Sequence, residues 1–431
     1  MTRAKQTPKA IQVCAHWHGL AEPTLMGTLH VALSRGKEIF SFEYDPAWLK
    51  SSHAQILDPS LELFTGPQYT RDNQANFGMF MDSSPDRWGR LLMQRREAQL
   101  ARQEKRDSRT LLESDYLLGV FDGHRMGSLR FRLSPTGPFL DNNTDMASPP
   151  WARLRDLEYA SLQLERDDAE KDKDYMQWLR LLIAPGGSLG GARPKASVVD
   201  EDSQLWIAKF PSRKDEINVG GWEYLVHQLA IEAGIDTAVS KIHRFSGDYD
   251  TFLTRRFDRT EDGERIHFAS AMTLLGKKDG DSGETGVSYL DLADFLIKNG
   301  AQVTKDLEQL WRRIIFNICV SNTDDHLRNH GFLLQDKGWV LSPAFDMNPS
   351  ATGNGLTLNI SKEDNTQSLD LAMSIIPYFR IKEERAKEII SEISSVIKKW
   401  TQLAKNMGFS ARETDLLQNA FRITTQSKKP V

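Results

Sequence analysis

Cysteine is nearly absent: Cys14 and Cys319 are the only two in 431 residues, far apart and outside any Cys-x-x-Cys spacing. That scarcity excludes a disulfide framework and a zinc ribbon and points to the reducing cytosol. Long apolar runs are missing as well. No window approaches the roughly 18 uninterrupted apolar residues of a spanning helix, and the polar start has no apolar h-region behind it, so the chain reads as soluble, unsecreted and without a membrane partner. A surplus of one charge is also lacking. The 55 Lys and Arg balance 59 Asp and Glu, for a net charge of -4, which fits neither a polyanion-coating protein nor a disordered acidic tail. What is present is a chain with 39% apolar residues, long enough for two or three domains at roughly 100 to 200 residues each.

Residues 28–44 form two alternating runs around Ser-Arg-Gly-Lys, a β-hairpin pattern with glycine at the turn. Residues 86–106 read as a helix with seven basic against three acidic residues, a solvated face or a nucleic-acid surface. Pro, Gly, Asn, Asp and Ser crowd 133–150, which reads as a loop or linker. Strand-like runs follow at 196–199 and 204–210, a helix at 222–233, and further β structure at 243–257. Beyond residue 270 helices dominate. Leu307, Leu310, Trp311, Ile314, Ile315, Ile318 and Cys319 fall on one continuous stripe, and a second stripe runs from Ala386 to Trp400. The expected division is 1–140, β-rich; 150–268, mixed; and 269–431, helical, an α+β chain. Cys14, His16 and His18 alternate as metal ligands do, but equally as one face of a strand, and no fourth ligand is near in sequence.

Directly after the first apolar stripe comes the polar cluster 321–331. Asp324 and Asn329 stand there at D-x-x-x-x-N, the spacing by which kinase loops set a carboxylate at a substrate hydroxyl and an amide oxygen on a metal. A hairpin pattern at 332–341 returns the chain toward this cluster and leads to Asp346. One carboxylate and one amide oxygen suit magnesium, which completes its shell with water and phosphate. Upstream, 186–191 is Gly-Gly-Ser-Leu-Gly-Gly, whose small residues let backbone N–H groups approach an anion, with Arg193 and Lys195 just beyond. Lys209 lies inside the apolar run 205–210, where an anionic partner is expected. Glycine loop, strand lysine, helix with Glu223, D-x-x-x-x-N and second Asp follow the order of parts in protein-kinase-like enzymes, with Mg-ATP as the common ligand.

The segments SLGGARPKA (188–196), WIAKFPS (206–212), FLTRRFDR (252–259), TDDHLRNHGF (323–332) and LSPAFDMNPS (341–350) resemble the motifs of the HipA-family serine/threonine kinase toxins, and SSPDRWGR (83–90) resembles their N-terminal signature. The resemblance implies a kinase-like fold: an N-terminal β-rich subdomain, a mixed small lobe and an all-helical large lobe. It implies a HipB-like helix-turn-helix antitoxin partner, operator DNA reached mainly through that antitoxin, and a protein substrate such as an aminoacyl-tRNA synthetase, the glutamyl enzyme in the best-known case. Carried over by motif, Asp324 resembles the catalytic aspartate, Asn329 and Asp346 the magnesium ligands, and Lys209 the ATP-phosphate lysine. His326 sits next to the nucleotide; Ser188, Gly190 and Gly191 belong to the nucleotide loop, with Ser188 the autophosphorylated serine; and Arg255, Arg256 and Phe257 form the segment beneath the adenine. Two positions depart from the pattern. Asp325 stands where the best-known member has glycine and reads as a turn acid, a substrate contact or a second candidate base. Arg255 stands where an acid is expected. Plainer readings accompany these: Asp324 as a cap of the turn, Lys209 as a snorkelling edge residue, Ser188 as a loop hydroxyl. Two other functions fit the sequence less fully: a small-molecule phosphotransferase, and a non-catalytic co-repressor holding an antitoxin on DNA.

Overall fold

The computed structural model describes residues 9–71, 74–144, 147–183, 191 and 193–424. They fall into two compact units, one holding the residues up to Arg213 with Arg255–Ala269, the other Lys214–Thr254 with the residues from Ser270 onward. The stretch 150–268, read from sequence as one lobe, is thus shared between them.

The first unit contains strands β1 (Lys9–Ala15), β2 (Thr24–Ser34), β3 (Lys37–Tyr44), β4 (Gln68–Tyr69), β5 (Leu129–Arg132), β6 (Lys195–Val199) and β7 (Leu205–Lys209). Its helices are α1 (Pro46–Lys50), α2 (Gly78–Asp82), α3 (Arg87–Gln103), α4 (Glu113–Leu118), α5 (Leu154–Leu164) and α6 (Tyr175–Ile183). The first five strands make one sheet in the order β4-β3-β2-β1-β5. Ser34 pairs with Lys37, leaving Arg35 and Gly36 at φ 50° and 82°, the two left-handed positions that the tight hairpin turn requires. One sheet face is sealed by Phe42, Phe77, Phe80 and Phe131, with ring centroids 5.7 to 6.0 Å apart.

The basic run of α3 is internally paired. Arg90 grips Glu113 through two bonds of 2.6 and 2.7 Å, Arg102 meets Glu170 and Arg106 meets Glu97. The loop after β5 does not hang free as a linker: Leu140 N–H donates to Phe131 O and Asp141 N–H to Val120 O, folding it back on the unit. Cys14 is buried on β1, but that strand ends at Ala15, so His16 and His18 lie beyond it, half-buried and exposed, and the triplet does not form one strand face.

The second unit opens with α7 (Val219–Glu232) and the antiparallel pair β8 (Ser240–His243) and β9 (Thr251–Arg255), the last residue of which falls in the first unit. After β10 (Phe268–Ser270), at the division, come α8 (Ala271–Leu274), α9 (Tyr289–Asn299), α10 (Val303–Val320), the hairpin β11 (Gly331–Gln335) and β12 (Gly338–Leu341), then α11 (Leu369–Ser374), α12 (Glu383–Ile397), α13 (Trp400–Asn406) and α14 (Ala411–Leu417). All seven residues of the stripe from Leu307 to Cys319 are fully buried, each apolar side chain contributing about 1.5 to 3 kcal/mol of gross burial. Trp311 also satisfies its indole by donating to Ala372 O at 3.1 Å. The second stripe is interrupted: α12 stops at Ile397 and Trp400 begins a new helix. Among the described residues no helix is long and apolar enough to cross a membrane.

Candidate active site

Helix α10 ends because Ser321 adopts φ 49°, a left-handed stop. The Ser321 hydroxyl is hydrogen-bonded to Ala420 O (2.9 Å) and to Gln367 Oε1 (3.0 Å), which anchors the start of the loop 321–331. Within it, Asp324 is exposed and Asp325 buried. The Asp324 carbonyl accepts from His326 N–H at 3.0 Å and from the Asn329 side-chain amide at 2.9 Å. The Asn329 amide nitrogen is thereby fixed, and its buried oxygen Oδ1 has no hydrogen-bond partner among the described residues. The Nδ1 of His326 is buried and unpartnered in the same way.

Asp325 is held from three sides. Its Oδ2 accepts from the Tyr289 phenol at 2.5 Å, from Asn317 Nδ2 at 2.6 Å and from His330 Nε2 at 2.9 Å. A carboxylate only accepts, so His330 carries a proton on Nε2. Burial and the adjacent charge of Asp325 push the Tyr289 phenol well above its ordinary value, which keeps it a neutral donor. Of the readings the sequence left for Asp325, this fits the local anchor: its carboxylate is enclosed while that of Asp324 faces outward.

The hairpin β11–β12, in register Phe332 to Leu341, brings the chain back to the loop. Ser342 N–H donates to Gly331 O at 2.9 Å, Asn348 N–H to Asn322 Oδ1 at 3.2 Å and Ser350 N–H to Ser321 O at 3.0 Å. Asp346 lies on this returning segment, half-buried, with φ 58°. Among the described residues no group of three His, Cys, Asp or Glu could hold a metal. A cation here would depend on the unpartnered amide oxygen of Asn329 and a single carboxylate, and magnesium, which takes few protein oxygens, fits that donor set.

The remaining expected site residues belong to the first unit. Lys209 ends β7 and is buried, with Lys195 opposite it in register. Lys195 is not available to an anion: its ammonium donates to Asp86 Oδ2 and to Gly191 O, both at 2.8 Å, in a pair almost wholly shielded from water. Arg255 and Phe257 are half-buried. Arg256 is buried and its guanidinium is engaged by Asp258 and by His124 O and Arg125 O, so only its backbone could serve the nucleotide expected there. Gly191 is exposed, while Ser188 and Gly190 lie outside the described residues. Sequence reasoning missed Asp86, Tyr289, Asn317, Asn322, His330 and Asn348. The available signal was Asn317, a lone amide inside the apolar stripe of α10.

Residues 187–400 match the family model of the HipA-like C-terminal domain. This region is a HipA-like C-terminal domain. Its fold matches that of a chain in the Shewanella oneidensis HipA, HipB and operator DNA complex, with a TM-score of 0.64, 17% identity, and coverage of 96% of this chain and 95% of that one. The α+β, HipA-like fold expected from the motifs is therefore the fold observed. A putative kinase of Haemophilus influenzae is 26% identical over 179 residues, 37% of this chain and 52% of that protein. The putative kinase Y4mE of Sinorhizobium fredii is 28% identical over 182 residues, 37% of this chain and 41% of that protein. The chain thus spans about half or less of the length of the curated relatives it matches. Lys195, Lys209, the loop 321–331 and Asp346 all lie inside the HipA-like domain, and the five-stranded sheet lies outside it.

Proposed function

We propose that this chain is an ATP-dependent serine/threonine protein kinase, the toxin of a HipBA-like toxin–antitoxin pair in the cytosol. The observation that carries the reading is the pinned Asn329 side chain: its nitrogen is held by the Asp324 carbonyl, and its buried oxygen has no partner among the described residues. An exposed carboxylate on the same short loop then stands beside a ready metal ligand. The putative kinases among its relatives and the HipB-bound HipA fold support the same conclusion.

In this mechanism the substrate serine oxygen attacks the γ-phosphorus of ATP, the bond to the ADP oxygen breaks, and the hydroxyl proton passes to the Asp324 carboxylate. Asn329 and Asp346 would hold magnesium, which would supply positive charge to offset that developing on the transferred group. By resemblance to the family motifs, Lys209 would supply a cation to the phosphates, the backbone of 255–257 would lie beneath the adenine, and His326 would serve the nucleotide from its own loop. The protein substrate is a translation component of the aminoacyl-tRNA synthetase class, the self-modified residue is Ser188, and a helix-turn-helix antitoxin carries the chain to operator DNA.

Incubation with γ-labelled ATP and magnesium tests this. Label on the chain or a synthetase is expected, falling by about 10²- to 10⁴-fold in Asp324→Asn and, for self-labelling, disappearing in Ser188→Ala. A wild-type chain that binds antitoxin yet transfers no label to itself or to any extract protein would overturn the kinase reading in favour of a co-repressor.

A further inference from the structure

We infer that three asparagines, Asn317, Asn322 and Asn348, are positioning residues that fix the returning segment bearing Asp346 to the loop bearing Asp324 and Asn329, and so set the metal-binding span. The inference rests on the kinase reading above. A line of four hydrogen bonds, three between side chains and one from the Asn348 backbone N–H, carries it. Asn317 Nδ2 donates to Asp325 Oδ2 at 2.6 Å; Asn317 Oδ1 accepts from Asn322 Nδ2 at 3.1 Å; Asn322 Oδ1 accepts from Asn348 N–H at 3.2 Å; and Asn348 Nδ2 donates to Asp346 Oδ1 at 3.3 Å.

The direction of each rung is dictated by its ends. Asp325 can only accept, so Asn317 must present its nitrogen there and its oxygen away; Asn322 must then present nitrogen to that oxygen and its own oxygen onward. A flipped amide anywhere would set oxygen against oxygen. Asn317 and Asn322 are about as buried as the apolar core around them, so bulk water has no access to replace a missing rung. An asparagine buried in the last turn of α10 carries a desolvation cost that only bonded partners offset. Tyr289 from α9 and His330, the residue just before β11, secure the Asp325 end. Asp325 also adjoins Asp324 in the chain, so one line of bonds reaches from the proposed base to the proposed metal carboxylate.

The test measures metal binding directly. Manganese is titrated into the full chain with ADP, and ADP binding is also measured without metal. Asn322→Leu and Asn317→Leu are each expected to weaken manganese binding by about 10- to 100-fold, the usual effect of losing a group that orients a ligand, with metal-free ADP affinity unchanged. The double variant should be no worse than either single one, because both cut the same line. Asn348→Ala, half-exposed and outside the core, severs only the last rung and gives the same direction of change if the leucine variants fail to fold. Equal manganese affinity in wild type and variants, or equal losses of metal-free and metal-bound ADP, overturns the positioning role alone. No manganese–ADP binding by the wild type overturns the kinase reading and this inference together.

Discussion

The buried charge pairs of the first unit contrast with the polar loop of the second, although the second unit also pairs Arg244 with Asp250 and Arg312 with Glu392. The first relies on charge: Asp258 is clasped by Arg256 and Arg259, Asp122 by Arg130 and Arg265, and Asp86 by Lys195. Arg125, fully buried, donates to four carbonyls, those of Ser83, Leu117, Val120 and Leu140. Burial draws the guanidinium of Arg125 down to about 10 and that of Arg259 to about 9. Burial alone would raise the Asp258 carboxyl, but Arg256 and Arg259 hold it well below the usual range. The second unit instead organises its polar loop with neutral amides, a phenol and an imidazole around the single carboxylate of Asp325. Charge pairs hold strongly but punish the loss of one partner; amides hold weakly but fix direction. A loop that must present atoms at set angles gains more from the second.

The largest consequence of that contrast lies in the first unit. Asp258→Ala leaves two arginines buried without their counter-ion and should cost about 3 to 5 kcal/mol, read from urea unfolding, whereas Asn317→Leu, which swaps amide for an apolar group of similar shape, should cost about 1 to 3 kcal/mol at most. Equal costs would abolish the distinction. A smaller effect is set by acid. Burial pushes His124, with further help from Arg256 and Arg259, down to about 3, and burial alone does the same to His267. Both stay neutral in the folded protein while the unfolded chain takes up protons near pH 6.5. Stability is therefore intact above that pH and lost as pH falls from about 6.5 toward about 3, by about 2 kcal/mol per histidine at pH 5. A double replacement of His124 and His267 by glutamine should flatten the slope of unfolding free energy between pH 7 and 5; an unchanged slope would assign acid sensitivity elsewhere. The smallest effect concerns Asp346, whose φ of 58° is a conformation that glycine accepts more readily. Asp346→Gly should alter stability by less than about 1 kcal/mol while removing phosphoryl transfer, and a large loss of stability would show that the carboxylate has a structural task.

Much of this architecture was legible because it is local or periodic. The α10 stripe announces its own burial through 3.6-residue spacing, the turn at Arg35 and Gly36 through its glycine, and the 321–331 loop through an acid and an amide five positions apart. The returning hairpin was legible for the same reason. Long-range polar pairing was not: Asp86 and Lys195 are 109 positions apart, and Tyr289 and Asp325 are 36 apart, so nothing in either neighbourhood names the other. For that reason Lys195 read as a phosphate donor and Arg256 as a nucleotide contact, when their charged ends are taken up inside the first unit. The break between α12 and α13 escaped notice because the apolar spacing continues across it.

The hydroxyl of Ser321 on the carbonyl of Ala420 ties the entrance of the loop to a segment made a hundred positions later. Trp400 stacks on Phe421 at 4.4 Å, locking that late segment into the same core. A nascent polypeptide that has not yet reached residue 420 cannot close the loop in this form. The loop that bears Asp324 and Asn329 is therefore among the last parts of the chain to reach its final form during synthesis.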